Sequence, residues 1–388
     1  MDALITPSNW QKVRLGDIGI TISGLAGKTK QDFINGNAKY ITFLNVLNNV
    51  IIDTSILENV KIYPNEKQNS FKKYDLFFNT SSETPKEVGM CAVLLDDIDQ
   101  VFLNSFCFGF RIFDKAVDSL FLSYLINSEI GRKAFENLAQ GSTRYNLSKS
   151  GFNNVCLILP PLNEQIAIAN ILSDVDHYLY SLDALILKKE SVKKALSFEL
   201  LSQRKRLKGF NQNWQKVRLG DICEITTGSL DANEMVYYGK YRFYTCAKEY
   251  YFIDKYAFDT EAILISGNGA YVGYVHYYKG KFNAYQRTYV LDNFSEHIIF
   301  VKYFLTMFLQ SHIQTNKNEG NTPYIVMGTL KDFEILLPPL NEQIAIANIL
   351  SALDNEITSL KNKKRQFENI KKALNYDLMS AKIRVLNK

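Results

Sequence analysis

Ser266 to Gly273 reads SGNGAYVG directly after the apolar run Ala262–Ile265, where glycines could cradle a dinucleotide phosphate. The spacing is GxGxxxG, however, and VGYVHYY follows, β-like where that fingerprint requires a helix. A hairpin or bulge between strands is the better reading. The chain has no GxxxxGK[ST] loop and no Asn-Pro-Pro-aromatic motif of the kind found in amino-methyltransferases. Its four histidines (His177, His276, His297, His312) form no HxxxH pair. Its five cysteines (Cys91, Cys107, Cys156, Cys223, Cys246) show no paired spacing, which argues against both a zinc site and a disulfide framework. No catalytic residue, metal or cofactor is assigned to this chain from spacing.

Composition narrows the class. At 388 residues two or three domains are expected, and the apolar and charged shares, 46% and 22%, are those of a globular protein. No apolar run approaches a membrane span, and MDALITPSNW lacks a basic n-region followed by an apolar stretch, so a cytoplasmic location is expected. A net charge of +5 permits a polyanionic partner without demonstrating one.

The elements that would position any site are written twice. Asn9–Ile18 (NWQKVRLGDI) recurs at Asn213–Ile222, a shift of 204 positions. Leu159–Ser173 (LPPLNEQIAIANILS) recurs unchanged at Leu337–Ser351, a shift of 178, so the first variable interior is 26 residues longer. The interiors share a plan rather than a sequence: strands, then an Asn-small-aromatic segment (NSFCFGFRIF, NAYQRTYVLD), a helical stretch, and a Gly-polar-Thr-X-Tyr loop (GSTRY 141–145, GNTPY 320–324). Both read as α+β domains of one fold carrying different surfaces.

After each Pro-Pro pair the pattern turns helical, with Asn163 and Asn341 expected as N-caps and Glu164 and Glu342 in the first turn. A seam then recurs at steps of three and four. It runs Leu172, Val175, Leu179, Leu182, Ile186, Lys189, Lys193, Leu196, Leu200 in one copy and Leu350, Leu353, Ile357, Leu360, Lys364, Phe367, Lys371, Leu374, Leu378 in the other. Two helices of roughly forty residues, about 60 Å each, are expected to pair as an antiparallel coiled coil. The result would be a pseudo-two-fold arrangement of two homologous domains. The expected division is 1–158, first domain; 159–205, central helix; 206–336, second domain; 337–388, C-terminal helix.

These segments together resemble the specificity subunit of type I restriction–modification systems. The resemblance covers essentially the whole chain. It is carried chiefly by the LPP-L-x-EQ-x-x-I-A-x-I-L segment occurring twice, with support from Asp75–Gly89 (DLFFNTSSETPKEVG) and Asn104–Arg111 (NSFCFGFR). It implies a subunit without catalytic activity, whose two target recognition domains each read one half of a bipartite double-stranded DNA sequence. The helices would act as a spacer ruler and dock two methyltransferase subunits that use S-adenosylmethionine. Restriction subunits driven by ATP would join, so cofactors, Mg included, would belong to partners only.

Base edges need guanidinium or amide groups and phosphates need cations. The expected DNA-contacting set is therefore Lys28, Lys30, Asn79, Ser81, Lys86, Arg144 and Tyr145 in the first interior. In the second it is Lys240, Arg242, Asn268, Tyr271, Arg287 and Tyr324. Identical segments suit two copies of one partner, for which Gln165, Asn170, Gln343 and Asn348 are the expected outward contacts, although the same identity also serves folding. A two-headed protein-interaction scaffold with a coiled-coil spacer is the alternative.

Overall fold

The computed structural model describes residues 7–136, 138, 141, 144–315 and 324–385. The chain divides into two compact units, Met1–Leu182 with Lys363–Lys388, and Asp183–Asn362. This cut differs from the expected four-segment division. It falls inside both long helices, so each unit owns one variable interior and half of each helix.

The first unit opens with β1 (Gln11–Arg14), α1 (Leu15–Ile18), β2 (Gly19–Ser23), β3 (Ala38–Ile41), α2 (Phe43–Asn48) and β4 (Glu58–Val60). It continues through β5 (Leu76–Asn79), β6 (Ser81–Ser82), β7 (Cys91–Val93), β8 (Val101–Leu103) and β9 (Cys107–Ile112). Then come α3 (Ser119–Asn127), α4 (Glu129–Glu136), β10 (Tyr145–Asn146), α5 (Lys149–Asn153), β11 (Cys156–Leu159) and α6 (Leu162–Leu201). The main sheet has the order β2-β9-β5-β7, beside a three-stranded sheet β4-β3-β8.

The second unit carries β12 (Gln215–Arg218), β13 (Glu224–Thr227), β14 (Tyr241–Tyr244), β15 (Tyr251–Ile253), β16 (Phe258–Ser266), β17 (Val275–Ala284) and β18 (Thr288–Asp292). It ends with α7 (Ile298–Thr315), α8 (Met327–Lys331), β19 (Glu334–Leu337) and the start of α9 (Leu340–Met379). Its sheet is β13-β18-β16-β17-β14-β15. The two interiors are one topology. The β3–β8 pair is parallel, with Lys39 opposite Val101, and β14–β17 is parallel, with Arg242 opposite Phe282. The long β17 thus stands for both β7 and β8. The extra length of the first interior lies largely in residues 42–57 and 61–75, where the second has only 245–250 and 254–257.

The identical blocks find each other. β1 pairs antiparallel with β11, Gln11 opposite Leu159 through Arg14 opposite Cys156. β12 pairs with β19 in the same register, Gln215 opposite Leu337 through Arg218 opposite Glu334. The following Leu15 and Leu219 amides donate to Val155 (2.9 Å) and Phe333 (2.8 Å). A Cβ on Gly16 would lie 3.0 Å from the Asn153 carbonyl oxygen, and one on Gly220 3.0 Å from Lys331 Cβ, so the RLGD turn is packed alike in both.

Each long helix begins two residues earlier than an N-cap at its asparagine would place it. The Pro161 carbonyl accepts from the amides of Glu164 (2.9 Å) and Gln165 (3.0 Å), and Pro339 does the same for Glu342 and Gln343. Asn163 and Asn341 therefore sit inside the first turn and are not N-caps. Proline's fixed φ already sets the helix start.

All seam positions are buried or half-buried. Within the first unit the Tyr178 ring meets Phe367 (4.6 Å) and Lys371 pairs with Asp176. Within the second, Lys189 pairs with Glu356 (2.8 Å), Lys193 with Asp354, and Lys361 with Glu190 (2.6 Å). Rising numbers in one helix meet falling numbers in the other, so the segments run in opposite directions inside each unit. Seam lysines 189, 193 and 371 are accommodated because each meets a carboxylate. Among the described residues no helix is long and apolar enough to cross a membrane.

Candidate nucleic-acid interface

In the first unit, β2 ends at Ser23, β5 ends at Asn79 and β9 begins at Cys107, all at one end of the sheet. Gly24 is required there, since a Cβ would lie 2.3 Å from the Asn104 carbonyl oxygen. β10 pairs with β6, placing Tyr145 opposite Ser82, and the Arg144 guanidinium lies over the Phe106 ring (5.6 Å). Lys149 Nζ donates to Ser23 Oγ (2.7 Å), bringing α5 to the same end. Arg144 and Lys86 are exposed and Tyr145 is half-buried; Lys30, on the loop after β2, is exposed as well.

Three expected contacts in this unit are scaffold instead. Asn79 is fully buried, its amide donating to Glu87 (2.8 Å) and Ser81 (3.3 Å) carbonyls and its Oδ1 accepting from the Met90 amide (2.7 Å). Ser81 is buried in the β6–β10 ladder. Lys28 has only 5% of its side chain exposed and is spent on Glu66 (2.5 Å), the Lys61 carbonyl and the Tyr63 ring. Short polar side chains in a tight loop satisfy backbone groups before they meet a ligand. Ser142, Thr143 and Gly320 to Pro323, the tips of the two Thr-X-Tyr loops, lie outside the described residues.

The second unit repeats the arrangement with other side chains. The Gly267 amide donates to the Arg287 carbonyl (2.8 Å), the Ile325 amide donates to the Gly267 carbonyl (2.9 Å), and Asn268 bridges Tyr324. Gly228 is the counterpart of Gly24; a Cβ there would lie 1.9 Å from the Ala284 carbonyl oxygen. Arg287, Tyr271 and Tyr324 are exposed around this loop, with Asn268 half-buried. Lys248 Nζ lies over the Tyr271 ring (5.1 Å). Lys240 is exposed at the opposite end of β14.

Arg242 belongs to a chain of rings. Its guanidinium carbon is 4.2 Å from the Tyr250 centroid and 4.5 Å from that of Tyr278, and Nη1 donates to the Tyr244 hydroxyl (3.3 Å). Tyr244 in turn touches His276 (5.2 Å), which touches Tyr274 (4.7 Å). Burial holds the His276 imidazole below its usual pKa, against the raising effect of its contact with the Ala247 carbonyl (2.9 Å) and of nearby Glu249.

The base of each unit is a second shared site. Gln165 and Gln343, expected to face outward, are each 1% exposed. Gln165 bonds the Pro160 (2.8 Å) and Ala116 (3.0 Å) carbonyls and accepts from the Asp118 amide (2.9 Å). Gln343 bonds the Pro338 carbonyl (2.9 Å) and Glu296 (2.6 Å) and accepts from the His297 amide (3.0 Å). They tie the helix start to the loop before α3 or α7, because a buried amide must be hydrogen-bonded. They are not partner contacts. Asn170 and Asn348 are exposed.

Sequence reasoning missed the partners of the two first-turn glutamates. Arg384 binds Glu164 bidentately (2.6 and 2.9 Å), and Arg206 binds Glu342 likewise (3.1 and 2.6 Å). Trp214 Nε1 also donates to Glu342 (3.1 Å), whereas Trp10 Nε1 is buried with no partner among the described residues. Each arginine follows the end of a long helix by way of a residue with positive φ, Gln203 (62°) or Ala381 (59°). The available signal was Ser202/Arg206 and Ser380/Arg384 standing at the same 178-residue shift. Above each base, a tyrosine hydroxyl donates to an aspartate that also pairs with a lysine: Tyr124–Asp176–Lys371 and Tyr303–Asp354–Lys193. Burial alone would raise the Asp354 carboxyl, but the bonds from Lys193 and Tyr303 outweigh it and hold it below the usual range.

Comparison with known proteins agrees with this paired construction. The family model described as type I restriction modification DNA specificity domain matches twice, at residues 7–189 and 211–369. The specificity subunit of the type I restriction enzyme EcoDI from Escherichia coli is 40% identical over 163 residues, 41% of this chain and 35% of that protein, so the match spans about a third of that relative. The type I restriction enzyme MjaVIII specificity subunit of Methanocaldococcus jannaschii is 24% identical across 100% of this chain and 96% of its own length. Among solved structures, the S subunit of a type I restriction–modification system from M. genitalium has a TM-score of 0.66 at 18% identity, covering 97% of this chain and 99% of that one. A chain from work on assembly and conformational transition of the type I system has a TM-score of 0.56 at 16% identity, covering 96% and 98%. At these identities the likeness is one of fold.

Proposed function

The chain belongs to the family of type I restriction modification DNA specificity domains, and on that premise we propose that it is the non-catalytic recognition subunit of such a complex. Each unit reads one half of a bipartite duplex target. The long helices pair along their length as an antiparallel coiled coil, set the unspecified gap, and dock two methyltransferase subunits that carry S-adenosylmethionine. Restriction subunits using ATP complete the assembly.

The observation that carries this reading is the contrast inside each unit. An identical base is closed by internal hydrogen bonds, while exposed cations and aromatic rings that differ between the units gather at one end of each sheet. Lys30, Lys86, Arg144 and Tyr145 are the first unit's contacts; Asn268, Tyr271, Arg287 and Tyr324, with Arg242, are the second's, while Lys240, at the opposite end of β14, stands outside this cluster. Cations at such positions hold phosphates, and the variable side chains beside them reach base edges. Asn170 and Asn348, exposed at matching positions in both helices, face the two methyltransferase copies.

The test is duplex binding by the full chain assembled with its modification subunits, across a salt series. Arg144→Ala and Arg287→Ala should each lower affinity and reduce the salt slope by about 1. Unchanged affinity and slope in both would mean that the surface is misplaced. A heptad inserted between Leu172 and Leu200, matched in the facing part of the other helix, should lengthen the gap and leave both half-sites unaltered. A mapped site with its original gap would remove the ruler.

A further inference from the structure

Arg242 is held differently from the arginines of the scaffold. Arg14, Arg111, Arg206, Arg218 and Arg384 each face a carboxylate: Asp17, Asp75, Glu342, Asp332 and Glu164. Among the described residues Arg242 has no carboxylate partner. It has rings instead, Tyr250 and Tyr278, and one hydroxyl, that of Tyr244, which uses a single Nη1 donor. The Nε and Nη2 donors have no protein acceptor among the described residues. Two of the three rings are anchored in the core. Tyr244 is buried and packs edge-on against Phe282 (5.9 Å), inside the small core formed with Ala262, Leu264, Ala284 and Val290. Tyr278 stands on β17 and packs on that core.

A planar guanidinium held against rings and left with open donors suits a pair of acceptor atoms approached edge-on, on a phosphate or on a base edge. On a base edge in duplex DNA that pair is O6 and N7 of guanine in the major groove. A phosphate would be met as well by a free lysine, and the register equivalent of Arg242 in the first unit is one: exposed Lys39 on β3. Pre-organisation by the rings also lowers the entropy lost on contact.

Resting on the DNA-recognition reading above, we propose that Arg242 is a specificity-determining residue that reads a guanine in the half-site of the second unit, with Tyr250 and Tyr278 as positioning residues. The first unit has no such reader on the matching strand.

The test is enrichment of duplexes from a randomised library by the full chain assembled with its modification subunits, for wild type, Arg242→Ala and Arg242→Lys. The wild type should enrich a two-part motif containing guanine at one position of one half. Arg242→Ala should lose the preference for that guanine by roughly ten- to hundredfold. Arg242→Lys should lose part of it, because an ammonium reaches O6 and N7 without the fork that stacks on the rings, and both should keep the other half-site. Arg242→Lys should also keep the wild-type salt dependence, since its charge is retained. Full guanine preference in Arg242→Lys would overturn the proposal, as would a loss in Arg242→Ala spread evenly over both halves. A wild type that enriches no motif would bring down the recognition reading itself, and this proposal with it.

Discussion

The base of each unit and the second face of its sheet have fared in opposite ways. At the base, Gln165 and Gln343, Glu164 and Glu342, Arg384 and Arg206 occupy matching places and make matching bonds. On the second face, the first unit packs Ile41, Val46, Ile52, Phe71 and Phe77 around α2. The second unit, with fewer residues there, packs a smaller cluster that holds Tyr244 and is rimmed by Tyr278 and Phe258, and leaves Tyr250, Phe252 and Tyr274 exposed. The lesson is one of constraint. Replacing one end of a buried hydrogen bond strands the other, whereas apolar filling accepts many combinations of shape. Divergence has gone to the face where packing rather than hydrogen bonding sets the rules.

The comparison would break most sharply at the base arginine. Arg206→Ala leaves Glu342 buried and charged, with Trp214 as its remaining side-chain donor. We expect a loss of roughly 3 kcal/mol, the low end for a broken buried pair because the guanidinium is partly exposed. The unfolding midpoint checks it, and Arg384→Ala should move the same way. A midpoint unchanged in both variants would show that the base is not what the repeat preserves.

Glycine substitutions come next. Gly24→Ala and Gly228→Ala each force a Cβ onto a carbonyl oxygen, and should cost roughly 1–3 kcal/mol as overpacking does. Gly27→Ala, also in the first interior, meets nothing within 4 Å and should cost less, mainly through its φ of 66°. Equal losses at all three would deny that the sheet end is built alike in the two units.

Acid should separate the units more gently. The His276 imidazole is held below its usual pKa by burial, so the unfolded chain takes up this proton more readily than the folded one. Its stability contribution is complete above the ordinary histidine range, about 6.5, and is lost as pH falls toward the lowered folded value. Asp354 acts at lower pH. Its carboxyl lies below the usual range, so its contribution is present above about 3.9 and is lost as pH falls through the folded value. A stability profile over pH 7 to 5 that His276→Asn leaves unchanged would remove the histidine from the account.

The smallest effect is expected at Lys39, the first unit's counterpart of Arg242. Lys39→Ala should lower the salt slope of binding by about 1 or less and alter no base preference. A changed half-site would show that the two strands read alike.

Much of this plan was legible because periodicity and repetition report backbone geometry directly. The 3–4 spacing placed every seam residue on a protected side, and the doubled blocks marked the two bases. The site was legible only in part. Arg144, Arg287 and Tyr271 are exposed as their loops suggested, but Asn79, Ser81, Lys28, Gln165 and Gln343 are turned inward. Residue type announces what a side chain can bond, not whether the backbone beside it asks first. Arg206 and Arg384 went unseen because their partners lie 136 and 220 residues away in sequence.

Because β12 and β19 offer the same frame as β1 and β11, the first interior, Gly19 to Val155, can be grafted in place of Cys223 to Phe333. Sequencing the DNA methylated by the chimera with its modification subunits is the most direct trial of two interchangeable readers on one frame. The modified site should become an inverted repeat of the first half-site. A site that retains the original second half would contradict the account.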